Sequence, residues 1–207
     1  MDLQQLVNDK NILYIYEIGL QIHGLFEDID DRDFLLVVTD DYEVPELDEH
    51  FDVYTISDWF QLVLKNSMIT WICMCLPKKY IIKEHVKLYM QPNLLYIRRN
   101  FDDIFTSRHE CAINRLLDEG NTLTAQKAVW EKCKFIKFAN QIIDNNKIVN
   151  FKEVAEDYKQ IVDGQVTDFN QIKDAFTKCC QKELDRFLTY TDHLIRLNKI
   201  NKRKLDE

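Results

Sequence analysis

The spacing of apolar residues changes partway along the chain. Ile12–Ile18 reads Ile-Leu-Tyr-Ile-Tyr-Glu-Ile, an apolar and β-rich run that predicts a buried strand. Gly19 to Gly24 reads as a turn leading into a short helix. Phe34–Thr39 is nearly continuous in apolar residues, the pattern of a central strand covered on both faces. Asp40–His50 is an acidic surface loop holding Pro45, and Phe51–Ile56 alternates as a third strand. Three strands so close together predict a small mixed sheet.

The period then lengthens. A short helix is expected over residues 2–9, and Ser57 reads as the cap of a helix to about Lys65. Residues 68–76 are an apolar segment closed by Pro77, with Tyr80–Ile82 as a short strand beside it. From Glu84 onward the spacing is helical, interrupted at Pro92 and near Gly120. Residues 124–145 place apolar side chains at 129, 130, 133, 136 and 138, an amphipathic helix. Residues 152–162 are helical up to Gly164, and Thr167 or Asp168 caps a long last helix ending in a polar tail. The expected class is α+β: a mixed α/β core over residues 1–92, then a mostly helical region over 93–207 packed over the cleft.

Composition agrees and narrows the function classes. Only four glycines and three prolines in 207 residues argue against a loop-rich all-β fold. A net charge of −8 opposes broad non-specific binding to nucleic acid, though it leaves room for a local basic groove. Cys73, Cys75, Cys111, Cys133, Cys179 and Cys180 lack paired Cys-X-X-Cys spacing, so zinc is not expected and the thiols are read as reduced. The N-terminal residues carry no leader pattern and no apolar run reaches membrane-spanning length, so a cytoplasmic protein with no membrane partner is expected.

The candidate chemistry lies between the first two strands. Asp31 and Asp33 are two apart, so in extended backbone they share a side at about 6.6 Å, close enough to face one hard cation. Gly19 allows close backbone approach, and backbone N–H groups in such a turn can hold phosphate oxygens. Asp52, in the third strand, could complete a triad. Three carboxylates can hold two Mg²⁺ ions about 3.5–4 Å apart, one activating a hydroxyl and one neutralising a leaving pyrophosphate. The competing reading of each acid is a solvated turn or strand edge, since Asp-X-Asp arises readily in a chain with 35 acidic residues. His23 is weighed between touching phosphate from the turn and making a structural hydrogen bond. Lys78-Lys79, Arg98-Arg99 after Tyr96, and Lys127, Lys132 and Lys134 could line a groove for an acceptor; the alternative for each is a solvated helix face.

Gly19-(X)4-Gly24-Leu25-(X)5-Asp31-X-Asp33 resembles the nucleotidyltransferase superfamily typified by DNA polymerase beta. The form is similar to the predicted nucleotidyltransferases of bacteria and their phages, whose pattern is Gly-Ser-X-Ala-Tyr-Gly-Leu and then Ser-Asp-X-Asp. Asp52-Val-Tyr before Ser57 and a helix looks like the third acidic strand of that family. Lys127 and Lys134 look like its helix of cationic residues, and Asn150-Phe151 and Ile161-Val-Asp-Gly164 match a later landmark. The resemblance covers residues 12 to about 190, with a sharp motif only in its first part.

The resemblance implies transfer of a nucleoside monophosphate from an NTP to an acceptor hydroxyl on RNA, a small molecule or a protein. Asp31, Asp33 and Asp52 would be both catalytic and metal-binding, with Mg²⁺ as cofactor and Mn²⁺ as a substitute. Gly19, Leu20, His23, Lys127 and Lys134 would occupy the nucleotide-binding positions, in a bacterial cell or phage-infected host. The departures are specific. Leu20 stands where the family has Ser, and removes a hydroxyl donor. His23 replaces Tyr and Asp30 replaces Ser. Glu131 and Lys134 stand where His and Arg are common, and Lys supplies charge without a bidentate fork. Two readings stay open: a divergent active enzyme, or a chain that kept the fold, lost turnover and binds a nucleotide, RNA or protein.

Overall fold

The protein, seen in a computed structural model, is described over residues 3–25, 32–45, 47, 50–104, 113–115, 117–164 and 168–205. It divides into two compact units: residues 1–91 with 148–152, and residues 92–147 with 153–207. The class is α+β, with the sheet in the first unit and helices making up the second.

The first unit contains α1 (Leu3–Asn8), β1 (Ile12–Glu17), β2 (Phe34–Val38), β3 (Phe51–Thr55), α2 (Ile56–Leu64), α3 (Met68–Cys75) and β4 (Ile81–Glu84). The strands form one mixed sheet in the order β3-β2-β1-β4. β1 runs antiparallel to β2 and β4, whereas β2 and β3 are parallel. All five residues of β2 are buried, as expected of a strand without polar alternation. One face of the sheet holds Ile12, Ile15, Phe34, Leu36 and Val38 against Leu6 of α1. On the other, the ring of Trp59 from α2 lies 6.1 Å from Tyr16 of β1 and 6.1 Å from Tyr54 of β3.

Several boundaries differ from the sequence expectation. Thr55, not Ser57, caps α2, its hydroxyl accepting the Asp58 N–H at 3.2 Å. Ser57 lies inside the first turn and donates its N–H and hydroxyl to Asp40 at 3.0 and 2.6 Å. The apolar segment after residue 68 is the helix α3, and β4 pairs with β1 rather than beside that segment. Residues 85–93 are irregular although their spacing suggested a helix. Ile148–Lys152 joins the first unit because Ile148 donates its N–H to Cys75 Sγ at 3.3 Å and Phe151 receives a bond from His23.

The second unit contains α4 (Leu94–Ile104), α5 (Thr122–Asn145), α6 (Ala155–Tyr158) and α7 (Phe169–Leu205). Asp168 caps α7, accepting the Gln171 N–H at 3.0 Å. The Phe101 ring lies 6.0 Å from Phe135 and 5.0 Å from Phe187, tying α4 to both long helices. Polar groups join the same helices. Arg98 donates to Asp102, Thr191 and Asp192 at 2.7–2.9 Å. Asn140 donates to the Glu183 carbonyl at 2.9 Å, and Trp130 Nε1 to the Val154 carbonyl at 3.0 Å. Lys137 Nζ reaches the two oxygens of buried Asp157 at 2.8 and 2.7 Å. Burial outweighs this pairing and lifts the Asp157 carboxyl above its ordinary range. Cys133 and Cys180 meet in the interior with their Sγ atoms 3.0 Å apart. That contact and burial keep the Cys133 thiol protonated far above neutrality.

Candidate functional site

The sheet end formed by the exit of β1 and the entries of β2 and β3 gathers part of the expected set. Gly19 has ordinary extended angles, φ −63° and ψ −170°, so left-handed backbone does not explain the glycine. Space explains it. A Cβ there would lie 2.4 Å from Gln21 Oε1 and 3.2 Å from both the backbone nitrogen and Oδ2 of Asp33. The Ile18 N–H donates to the Asp33 carbonyl at 2.9 Å and locks this approach. Gly24, by contrast, is left-handed at φ +74° and closes the turn by donating to the Gln21 carbonyl at 3.0 Å.

Asp33 immediately precedes β2, and the Phe34 N–H donates to the His50 carbonyl at 2.8 Å. The strand alternation puts Asp33 on the face of Leu35 and Val37. Leu35 is the partner of Asp52 in β3, so Asp33 and Asp52 share one sheet face on neighbouring strands. Both lie at the surface: the Asp33 side chain is 51% exposed, and Asp52 is exposed. Asp31 lies outside the described residues. Sequence reasoning missed His50, whose Nδ1 is 3.5 Å from Asp33 Oδ1. The signal was available, since His50-X-Asp52 repeats the two-residue spacing of Asp31-X-Asp33 across the parallel pair.

Asp33 and Asp52 offer the hard oxygen donors that Mg²⁺ takes, and His50 adds a nitrogen beside them. Among the described residues, no three His, Cys, Asp or Glu side chains come together as a metal-holding group. The Gly19 surface is covered by the Gln21 amide oxygen, which a bound phosphate would have to displace.

The other expected residues take different positions. Leu20 opens the 3-10 turn Leu20–His23 half-buried, and its carbonyl accepts the Leu25 N–H at 3.3 Å. His23 is 1% exposed, with Nδ1 3.0 Å from the Phe151 carbonyl and its ring 6.3 Å from that of Phe151. This is the structural hydrogen bond weighed for it, and it ties the 148–152 segment to the turn. Lys127 and Lys134 are on α5 in the second unit, where Lys127 is exposed. Lys134 pairs with Glu131 at 2.5 Å and lies over the Trp130 ring at 4.6 Å, so much of its charge is used within its own helix. Sequence reasoning also missed Glu17, buried and bound by Arg32 at 2.5 and 3.1 Å. Its partner in the ladder is Phe34, so the pair stands at the same sheet end but on the opposite face from Asp33. The Glu17 contact holds the Arg32 guanidinium above its ordinary range.

No helix among the described residues is long and apolar enough to cross a membrane. Comparison of the chain with protein-family models, curated proteins and solved structures finds no match.

Proposed function

We propose that this chain is a metal-dependent nucleotidyltransferase that moves a nucleoside monophosphate from an NTP to an acceptor hydroxyl and releases pyrophosphate. The observation that carries the reading is the approach of side-chain-free Gly19 to Asp33, with Asp52 on the same sheet face. Asp33 and Asp52, joined by Asp31, would hold Mg²⁺, or Mn²⁺ in its place. The bound cation would neutralise the triphosphate and make the acceptor hydroxyl more acidic. Asp52 would take the hydroxyl proton as the oxygen attacks the α-phosphorus. Backbone N–H groups after Gly19 would face the phosphates once Gln21 turns aside. Lys127 and Lys134 belong to the other compact unit, and Glu131 holds Lys134. The acceptor could be RNA, a small molecule or a protein side chain.

Calorimetry with each NTP in the presence of Mg²⁺ tests this. Saturable binding that requires Mg²⁺ and is lost in Asp33→Asn is expected. Incubation with labelled NTP and a cell extract then identifies the acceptor as the species that becomes labelled.

A second reading, a non-catalytic binding module on the same fold, is favoured by three observations. Leu20 offers no hydroxyl, Gln21 covers Gly19, and Lys134 is tied to Glu131. A folded chain that binds no NTP at any Mg²⁺ concentration would select this second reading.

A further inference from the structure

Six cysteines without paired spacing read as separate thiols in the sequence. Folding brings two of them together. Cys133 on α5 and Cys180 on α7 are 47 residues apart in the chain, yet their Sγ atoms stand 3.0 Å apart in the interior. Both are free thiols. Cys180 donates to the Phe176 carbonyl at 3.4 Å, one turn earlier on its own helix. Its sulfur is left to accept the Cys133 thiol, so one hydrogen lies between the two sulfurs. Cys179, half-buried beside them, donates instead to the Gln160 side chain at 3.4 Å.

A disulfide holds its sulfurs about 2.05 Å apart, so the pair stands about 1 Å from bonding distance. The helices that carry it are joined by other contacts. Asn140 donates to the Glu183 carbonyl at 2.9 Å, and Arg186 donates to Asp144. Two reacting groups held side by side in this way join in an effectively unimolecular step. Neighbours of both cysteines, Val129 and Lys132 on α5 and Phe176, Thr177 and Gln181 on α7, line a cavity of about 150 Å³. That volume admits a molecule little larger than water close to the pair.

We propose that Cys133 and Cys180 are a redox modification site, joined in a reversible disulfide by a small hydroperoxide. One sulfur attacks the peroxide O–O bond, takes one oxygen as a sulfenic acid and releases water. The other sulfur then attacks the sulfenic sulfur, forming the S–S bond and expelling a second water. The two thiols give up two protons and two electrons, and hydrogen peroxide is reduced to two waters. A dithiol reverses the bond by thiol–disulfide exchange. Burial keeps the Cys133 thiol protonated, which makes the oxidation slower than at an exposed thiolate. The new bond ties α5 to α7 and restricts the unfolded chain. The site belongs wholly to the helical unit and does not depend on the nucleotidyltransferase reading.

The test is to treat the full chain with hydrogen peroxide, unfold it with a thiol-alkylating reagent present, digest it without reductant and map the peptides by mass spectrometry. A Cys133–Cys180 cross-linked peptide that disappears with dithiothreitol is expected. The oxidised chain should unfold at a higher urea concentration, and the midpoint should return on reduction. Cys179→Ser should leave the cross-link in place, whereas Cys180→Ala should abolish it. The maps of the unaltered chain and of Cys179→Ser decide the matter even if Cys180→Ala does not fold. Recovery of Cys133 and Cys180 as alkylated thiols after peroxide treatment overturns the proposal. So does a bond that runs through Cys179 or between two chains, or a Cys133–Cys180 bond that leaves the urea midpoint unchanged or lowers it.

Discussion

In the sheet-bearing unit, Asp33, Asp52 and His50 stand at the surface of one strand end, and the interior of β2 contains no polar side chain. In the helical unit, Asp157, Lys132, Asn140 and Gln141 are inside. The difference follows from how each architecture satisfies its geometry. A sheet fixes its register through backbone hydrogen bonds, so its side chains need only separate apolar from polar. Helices satisfy their backbones internally, and apolar packing alone allows them to slide or turn. Directional contacts between side chains and neighbouring segments, such as Asn140 to Glu183 and Lys137 to Asp157, select one arrangement. The sheet thus leaves Asp33 and Asp52 exposed at its edge, whereas the helical unit pairs Asp157 with Lys137 in its interior.

That contrast can be broken most severely at Lys137. Lys137→Met leaves Asp157 buried without its cation and is expected to cost about 3–5 kcal/mol in urea unfolding at neutral pH. The pH dependence has a definite sign. Asp157 already titrates above its ordinary range of 3.8, chiefly through burial, and losing Lys137 raises it further. The variant's stability should therefore decline as pH climbs from about 4 and recover on acidification. Flat stability across that range would mean that Asp157 is not the buried charge responsible.

In the sheet unit the sensitive position has no side chain at all. Gly19→Ala should cost about 2–3 kcal/mol, because the new methyl meets the Asp33 backbone, which cannot rotate away as Gln21 can. A change below about 0.5 kcal/mol would show that the approach of Gly19 to Asp33 is looser than described. His23→Phe keeps an aromatic ring but removes the hydrogen bond from His23 to the Phe151 carbonyl, for an expected loss of about 1–2 kcal/mol in thermal or denaturant unfolding. An unchanged midpoint would refute the structural role of His23.

The smallest effect is expected at Tyr42, whose hydroxyl donates to Asp9 at 2.5 Å near the sheet. Tyr42→Phe should cost about 1 kcal/mol, since the pair is partly exposed to water. The bond to Asp9 lifts the Tyr42 hydroxyl to about 12, and the same bond lowers the Asp9 carboxyl. Its contribution is whole below about 10 on the tyrosine side and fades as pH rises through about 12. On the acid side it is whole above 3.8 and fades as pH falls through the lowered Asp9 value. Denaturant curves across pH should show both declines in the unaltered chain, whereas Tyr42→Phe should lose the alkaline one and keep a smaller acid one, because the Asn11 N–H still bonds Asp9.

The run of apolar residues in β2, the alternation of β3 and the Gly19–Gly24 turn were legible because strand period and glycine placement are local properties. The long helices α5 and α7 were legible for the same reason, their apolar residues recurring at helical spacing over many turns. Ser57 misled because two neighbouring hydroxyl residues can each cap a helix, and only the Asp40 contact shows which one is already engaged. Residues 85–93 misled because helical spacing in a short stretch gives no measure of what neighbouring elements hold.

Sequence alone thus determined the type of the strongly periodic elements, β2, β3, α5 and α7. It could not determine which residue of β3 stands opposite Leu35, and hence that Asp52 and His50 fall in with Asp33, because register depends on residues far apart in the chain. Nor could it show that His23 turns inward to Phe151 or that Lys134 binds Glu131, since a side chain's partner is chosen by which groups folding brings near it. Only the tertiary structure decides those pairings, and with them which charges remain at the surface.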